Sequence, residues 1–142
     1  MLRDDYLLRL IEQIGRVIAR IRELLLKGEV VRDTELKEAA AAAGQDLGLL
    51  RLVTTETLSS MLSPTGRTDA TKSVLVAELL FADLLIVRSE GDEAAVQDRL
   101  AKIQAMLSAA ARDEDPVRRS LVKQRMAALL EMAAQEGVTL TN

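Results

Sequence analysis

Fourteen consecutive residues, Val74 to Val87, carry only two polar side chains, Glu78 and Asp83. Wound into a helix, such a run is apolar on every face, and a helix of that kind is stable in water only when other elements surround it. The run is too short and too interrupted to span a bilayer. A buried central helix is therefore expected, with neighbours on all sides. Nowhere does the chain alternate with the two-residue period of a half-buried strand, so the neighbours must be helices as well.

The rest of the sequence can supply them. Residues Leu7, Ile11, Ile14, Ile18, Ile21 and Leu25 step by four and three alternately, and Leu10, Val17 and Leu24 widen the same face. This first helix should start near Asp4 or Asp5 and stop before Gly28. A second is expected from about Asp33 to Ala43, stopped by Gly44, and two short ones at Leu47 to Val53 and Thr55 to Leu62. Ser63, Pro64, Thr65 and Gly66 form a turn, and Thr68 or Asp69 caps the central helix, which runs to Glu90. Asp92 opens a sixth helix with Val96, Leu100, Ile103, Leu107 and Ala110 on its apolar stripe, and Asp115 with Pro116 opens a seventh that ends at Gly137. The expected fold is all-α: about seven helices in antiparallel hairpins, as a helical bundle or a tetratricopeptide-like array.

At 142 residues the chain has the length of one domain, and 49% apolar against 29% charged residues can close a core. Tyr6 and Phe81 are the only aromatics, so that core must be filled by aliphatic side chains and alanines.

Composition also limits the chemistry. With no cysteine and no histidine, thiol nucleophiles, disulfides, imidazole bases and the usual structural zinc sites are excluded. A net charge of −3 gives no field that would gather nucleic acid or an anionic membrane, and the near-absence of aromatics removes the stacking platforms that single strands need. Arg3, Asp4 and Asp5 stand where a signal peptide would turn apolar, so a cytoplasmic address is expected. Gly66-Arg67-Thr68-Asp69-Ala70-Thr71-Lys72-Ser73 approaches a phosphate-binding loop, but Thr71 replaces the glycine that lets backbone amides wrap a phosphate, so a turn and helix cap is the better reading. No cofactor, metal or catalytic residue is expected.

Glu78 and Asp83 are the candidate buried polar pair or pocket. Five positions apart on a helix, they point roughly 140° from one another, which suits separate pairing with arginines better than a shared metal or proton. Arg118, Arg119, Lys123 and Arg125 form a basic patch beside Asp113, Glu114 and Asp115, a pattern of solvated surface.

Asp5-Tyr6-Leu7-Leu8-Arg9-Leu10-Ile11-Glu12-Gln13, the Leu-rich stretch from Leu47 to Leu62 and the helix containing Ala77-Glu78-Leu79-Leu80 resemble a bacterial family of helical proteins of unknown function with tetratricopeptide-like character. The resemblance runs to about Ala110, with Phe81-Ala82-Asp83 where acidic residues usually follow the leucines. Within the single helical domain expected over residues 1–142, it implies a family-like core at 2–110 and an added C-terminal helix at 115–137, and it supplies no catalytic residue.

Surplus apolar helix faces without convergent reactive groups point to a non-catalytic interaction or scaffold domain that binds a protein partner or itself. A homodimer is expected, with the stripe Leu121, Val122, Met126, Leu129 and Leu130 as candidate interface. The alternative is a small-molecule sensor or carrier with a pocket between helices, lined by Glu78, Asp83, Met61 and Met106.

Overall fold

The computed structural model describes residues 2–62, 69–112 and 116–140. Seven helices make up the described residues: α1 Leu2–Leu26, α2 Thr34–Ala42, α3 Leu47–Leu52, α4 Thr55–Leu62, α5 Ala70–Ser89, α6 Glu93–Ala110 and α7 Pro116–Gln135, with no strand among them. The fold is all-α. The expected turn at residues 63–66, the cap at Thr68, the loop-like segment 66–68 and the acidic group 113–115 lie outside the described residues.

Every residue of α5 from Val74 to Val87 is buried, Glu78 and Asp83 included. Helices α1, α2, α6 and α7 pack against α5, and α4 lies against α6. One apolar cluster runs through all seven helices, from Leu10 on α1 to Ala133 on α7. At ~25 cal/mol per Å² of apolar surface, burying such residues supplies the main drive for folding. Six of the expected α1 positions, Leu10, Ile11, Ile14, Val17, Ile18 and Ile21, are buried, while Leu7 and Leu25 near the ends pack only partly.

The ends of the helices follow local chemistry. The carboxylates of Asp46, Asp69 and Asp92 accept from the amides of Leu49, Lys72 and Ala95 at 3.0–3.3 Å, and Thr54 Oγ1 accepts from Thr57 at 3.1 Å. Each satisfies an amide that the first turn leaves without an intrahelical partner. After α5 the chain turns at Gly91, whose φ of 77° is the left-handed conformation that side chains with a Cβ resist. The Gly91 amide donates to Arg88 O at 3.1 Å and Asp92 to Val87 O at 3.2 Å, the paired bonds that close a helix and reverse the chain. The same pair of bonds follows α1 at Gly28.

Two boundaries differ from expectation. Helix α1 starts at Leu2, so Asp4 and Asp5 lie inside its first turn rather than ahead of it. Asp33 precedes α2 but caps nothing with its side chain, because that carboxylate is engaged elsewhere.

Candidate functional site

Glu78 and Asp83 are both fully buried but face different partners. Asp83 Oδ1 accepts from Arg51 Nη2 at 2.5 Å and Nε at 3.1 Å, and Oδ2 accepts from Arg99 Nε at 2.7 Å. Arg51 comes from α3 and Arg99 from α6, so one carboxylate of the central helix holds two flanking elements. Arg51 Nη1 continues to Asp33 Oδ2 at 2.9 Å, and Arg99 Nη1 donates to Asp98. Both oxygens of Asp83 are occupied by guanidinium groups, which leaves it a positioning role in the fold. The hydrogen bond to Asp83 raises the pKa of Arg51 against the opposing effect of burial. Burial pushes the Asp33 carboxyl up, but the Arg51 hydrogen bond and charge outweigh it and hold the carboxyl below its usual range.

The chain of charges ends at Lys102, whose side chain is also fully buried. Its ammonium donates to Asp98 Oδ2 at 2.8 Å, Leu50 O at 2.9 Å and Arg51 O at 3.1 Å. Those carbonyls belong to the last turn of α3, where a helix leaves oxygens unpaired and favours a cation. A six-residue helix is too short to persist alone. Lys102→Met keeps the volume and removes the donor; the expected loss is about 1–3 kcal/mol, from the carbonyls and Asp98 left unsatisfied. Urea titration would measure it, and faster amide exchange confined to α3 would locate it.

Glu78 faces α7, where Arg125 Nη2 donates to its Oε1. Its Oε2, together with Arg125 Nε, is buried without a hydrogen-bond partner. Burial lifts the Glu78 carboxyl to about 7, with the Arg125 charge opposing. Arg125, expected in a solvated basic patch, thus serves the interior; the Arg118 side chain lies outside those described.

A third cluster fastens the far end of α7. Glu136 accepts from Arg22 Nε at 2.7 Å and from Arg88 Nη2 at 2.9 Å, while Arg88 Nη1 donates to the Glu136 carbonyl at 2.7 Å. Arg22 Nη2 also reaches Gln135 Oε1 at 2.9 Å. Burial raises the Glu136 pKa, the two arginines lower it further than that, and the carboxyl ends below its usual value.

The stripe on α7 lies mostly inside. Val122, Met126 and Leu129 are buried in the chain's own core, and Leu121 and Leu130 pack partly against it. Among the residues that α7 leaves exposed are Lys123, Ala127 and Glu131, on the next face round. Beside it a groove of about 320 Å³ runs between α6 and α7, lined by Ala110 and Ala111 on one side and Val122, Met126, Ala127 and Leu130 on the other, with Arg119 and Lys123 at its rim. A second cleft of about 310 Å³ lies between α1 and α2, and a wider polar one of about 480 Å³ reaches Arg51 and Arg99. Glu78 and Asp83 line none of these three. Met106 is buried and Met61 exposed, so the four residues expected around a common pocket are dispersed.

Sequence reasoning missed Arg51, Asp33, Arg99, Asp98 and Lys102. A signal was present in α6: Arg99 and Lys102 fall at helical spacing with Val96, Ile103 and Met106, on the apolar stripe itself. A cation on such a stripe requires a buried anion or free carbonyls nearby.

No protein-family model, no curated protein and no solved structure matches the chain. Among the described residues no helix is long and apolar enough to cross a membrane.

Proposed function

We propose that the chain is a non-catalytic helical interaction domain that binds protein through the α6–α7 surface, and that the protein it binds is another copy of itself. The observation that carries this reading is the groove between those helices, where an apolar floor of alanines and larger aliphatic side chains stays open beside the exposed Lys123 and Glu131. Alanines at a groove let a second helix approach closely, and charges at the rim fix its orientation. The carrier reading is less well supported, because its four proposed lining residues do not meet in one cavity and Asp83 is saturated by two arginines.

Light scattering over a concentration series tests the proposal. The wild-type chain is expected to associate below roughly 100 µM, a modest affinity in keeping with one shallow groove. Leu130→Glu, which puts a carboxylate into the groove wall, is expected to weaken association at least tenfold with little change in helix content. A chain that stays monomeric at that concentration, and whose melting temperature rises with a small molecule, would decide for the carrier instead.

A further inference from the structure

The exposed face of α7 carries charges of both signs. Lys123, Ala127 and Glu131 lie four residues apart along one line of the helix, all exposed, and none of them takes part in an ion pair within the described residues. Four residues correspond to about 6 Å of helix, so a cation and an anion stand at equal distances on either side of a small central residue. An arrangement of that kind complements itself under a two-fold axis through Ala127. In an antiparallel pair of such helices, Lys123 meets Glu131 of the partner subunit and Glu131 meets Lys123 of the partner subunit. A parallel pair would set lysine against lysine and glutamate against glutamate.

Resting on the self-association proposed above, we infer that two copies of the chain pair through antiparallel α7 helices crossing at Ala127, with Lys123 and Glu131 as reciprocal ion pairs. The second copy is the occupant on grounds of charge complementarity, because Lys123 and Glu131 stand at mirrored positions about Ala127 with opposite charges, as an isologous contact requires, while Arg119 further out on the same line would meet the neutral Gln135 of the partner subunit. The methyl group of Ala127 lets the two backbones come close at the crossing. Leu130 and Met126 of the adjoining groove then lie beside the crossing, where the partner helix shields them from water.

Charge reversal and cross-linking on the full chain test this geometry. Lys123→Glu and Glu131→Lys each place two like-charged contacts in the dimer and are expected to weaken it at least tenfold. The double variant restores complementarity and should dimerise as the wild type does. The chain has no cysteine, so Ala127→Cys can be oxidised cleanly. It should form a disulfide dimer quickly, because a two-fold crossing brings that position within the 4.4–6.8 Å Cα separation of disulfides, whereas Ser120→Cys, about 20 Å from its copy in this register, should not. All four positions are on the surface, and unchanged helix content by circular dichroism confirms that each variant folds. A wild-type dimer in which the double variant is no tighter than the singles, or in which both cysteine variants cross-link equally, overturns the α7 geometry and leaves self-association standing. A monomeric wild-type chain overturns both.

Discussion

Asp83→Ala is expected to lower the stability of the folded chain by about 3–5 kcal/mol, the usual consequence of removing one partner from a buried ion pair. The reason lies in what remains. Arg51 and Arg99 would keep their positions near a central helix with no anion to face, and Arg99 is almost entirely removed from water. Asp33 still pairs with Arg51 and Asp98 with Arg99, but each of those acids is itself partly solvated and neutralises only one edge of its guanidinium. Asp83→Asn keeps the shape and some hydrogen bonding, so a smaller loss is expected. Replacing Asp83, Arg51 and Arg99 together by apolar residues of similar size should destabilise less than Asp83→Ala alone, because no buried charge is then left unpaired. Denaturant titration of the four proteins gives the ordering directly. A loss under about 1 kcal/mol for Asp83→Ala, the range of exposed pairs, would show that the network contributes no more than surface charges do.

The second large effect concerns pH. Burial lifts the Glu78 carboxyl to about 7 from an ordinary 4.5, so between those values the folded chain holds a proton that the unfolded chain has released. The associated stability is complete below about pH 4.5 and declines as pH rises through 7, by an amount on the order of 3 kcal/mol. Asp33 and Glu136 act in the opposite sense. Their carboxyls lie below the usual range, so the stability they lend is present above their ordinary values and is lost as pH falls into the acid region. The two slopes together place the maximum of stability on the mildly acidic side of neutrality. Glu78→Gln, which mimics the protonated acid, should abolish the decline between pH 5 and 8 and make the variant more stable than the wild type at pH 8. Thermal melts across that range measure both. An equal decline in the variant would assign the pH dependence to other groups.

Much of the architecture was legible in the sequence because helices advertise themselves locally. Asp92 followed by an apolar stripe, and Gly91 before it, marked the α5–α6 turn with signals that act within five residues. The continuous apolar run of α5 fixed its central place. The candidate site was legible only in part. That Glu78 and Asp83 would pair separately with arginines followed from their angular separation on the helix, but which arginines they meet depends on the packing of α3, α6 and α7. Arg125 read as surface because its neighbours Arg119 and Lys123 are cationic; only the docking of α7 turns it inward to Glu78. The stripe from Leu121 to Leu130 showed correctly that this helix face must be covered, yet apolar periodicity is the same whether the cover is the chain's own core or a second molecule, and here the core takes Val122, Met126 and Leu129.

The clamp at Glu136 has a consequence for how the chain comes to its final form during synthesis. Its two arginine partners precede it by 114 and 48 residues, so both must wait for α7 to be made before their charges are answered. Until then α5 has lost one of its covering helices, and its apolar flank is open to other growing chains at the moment when such surfaces aggregate most readily. The α5–α6 hairpin, whose contacts are close in sequence, can assemble early, since short loops cost little entropy to close. Closure by α7 is then the late step, and a truncation only a few residues short of Glu136 should be seen first in the yield of soluble protein.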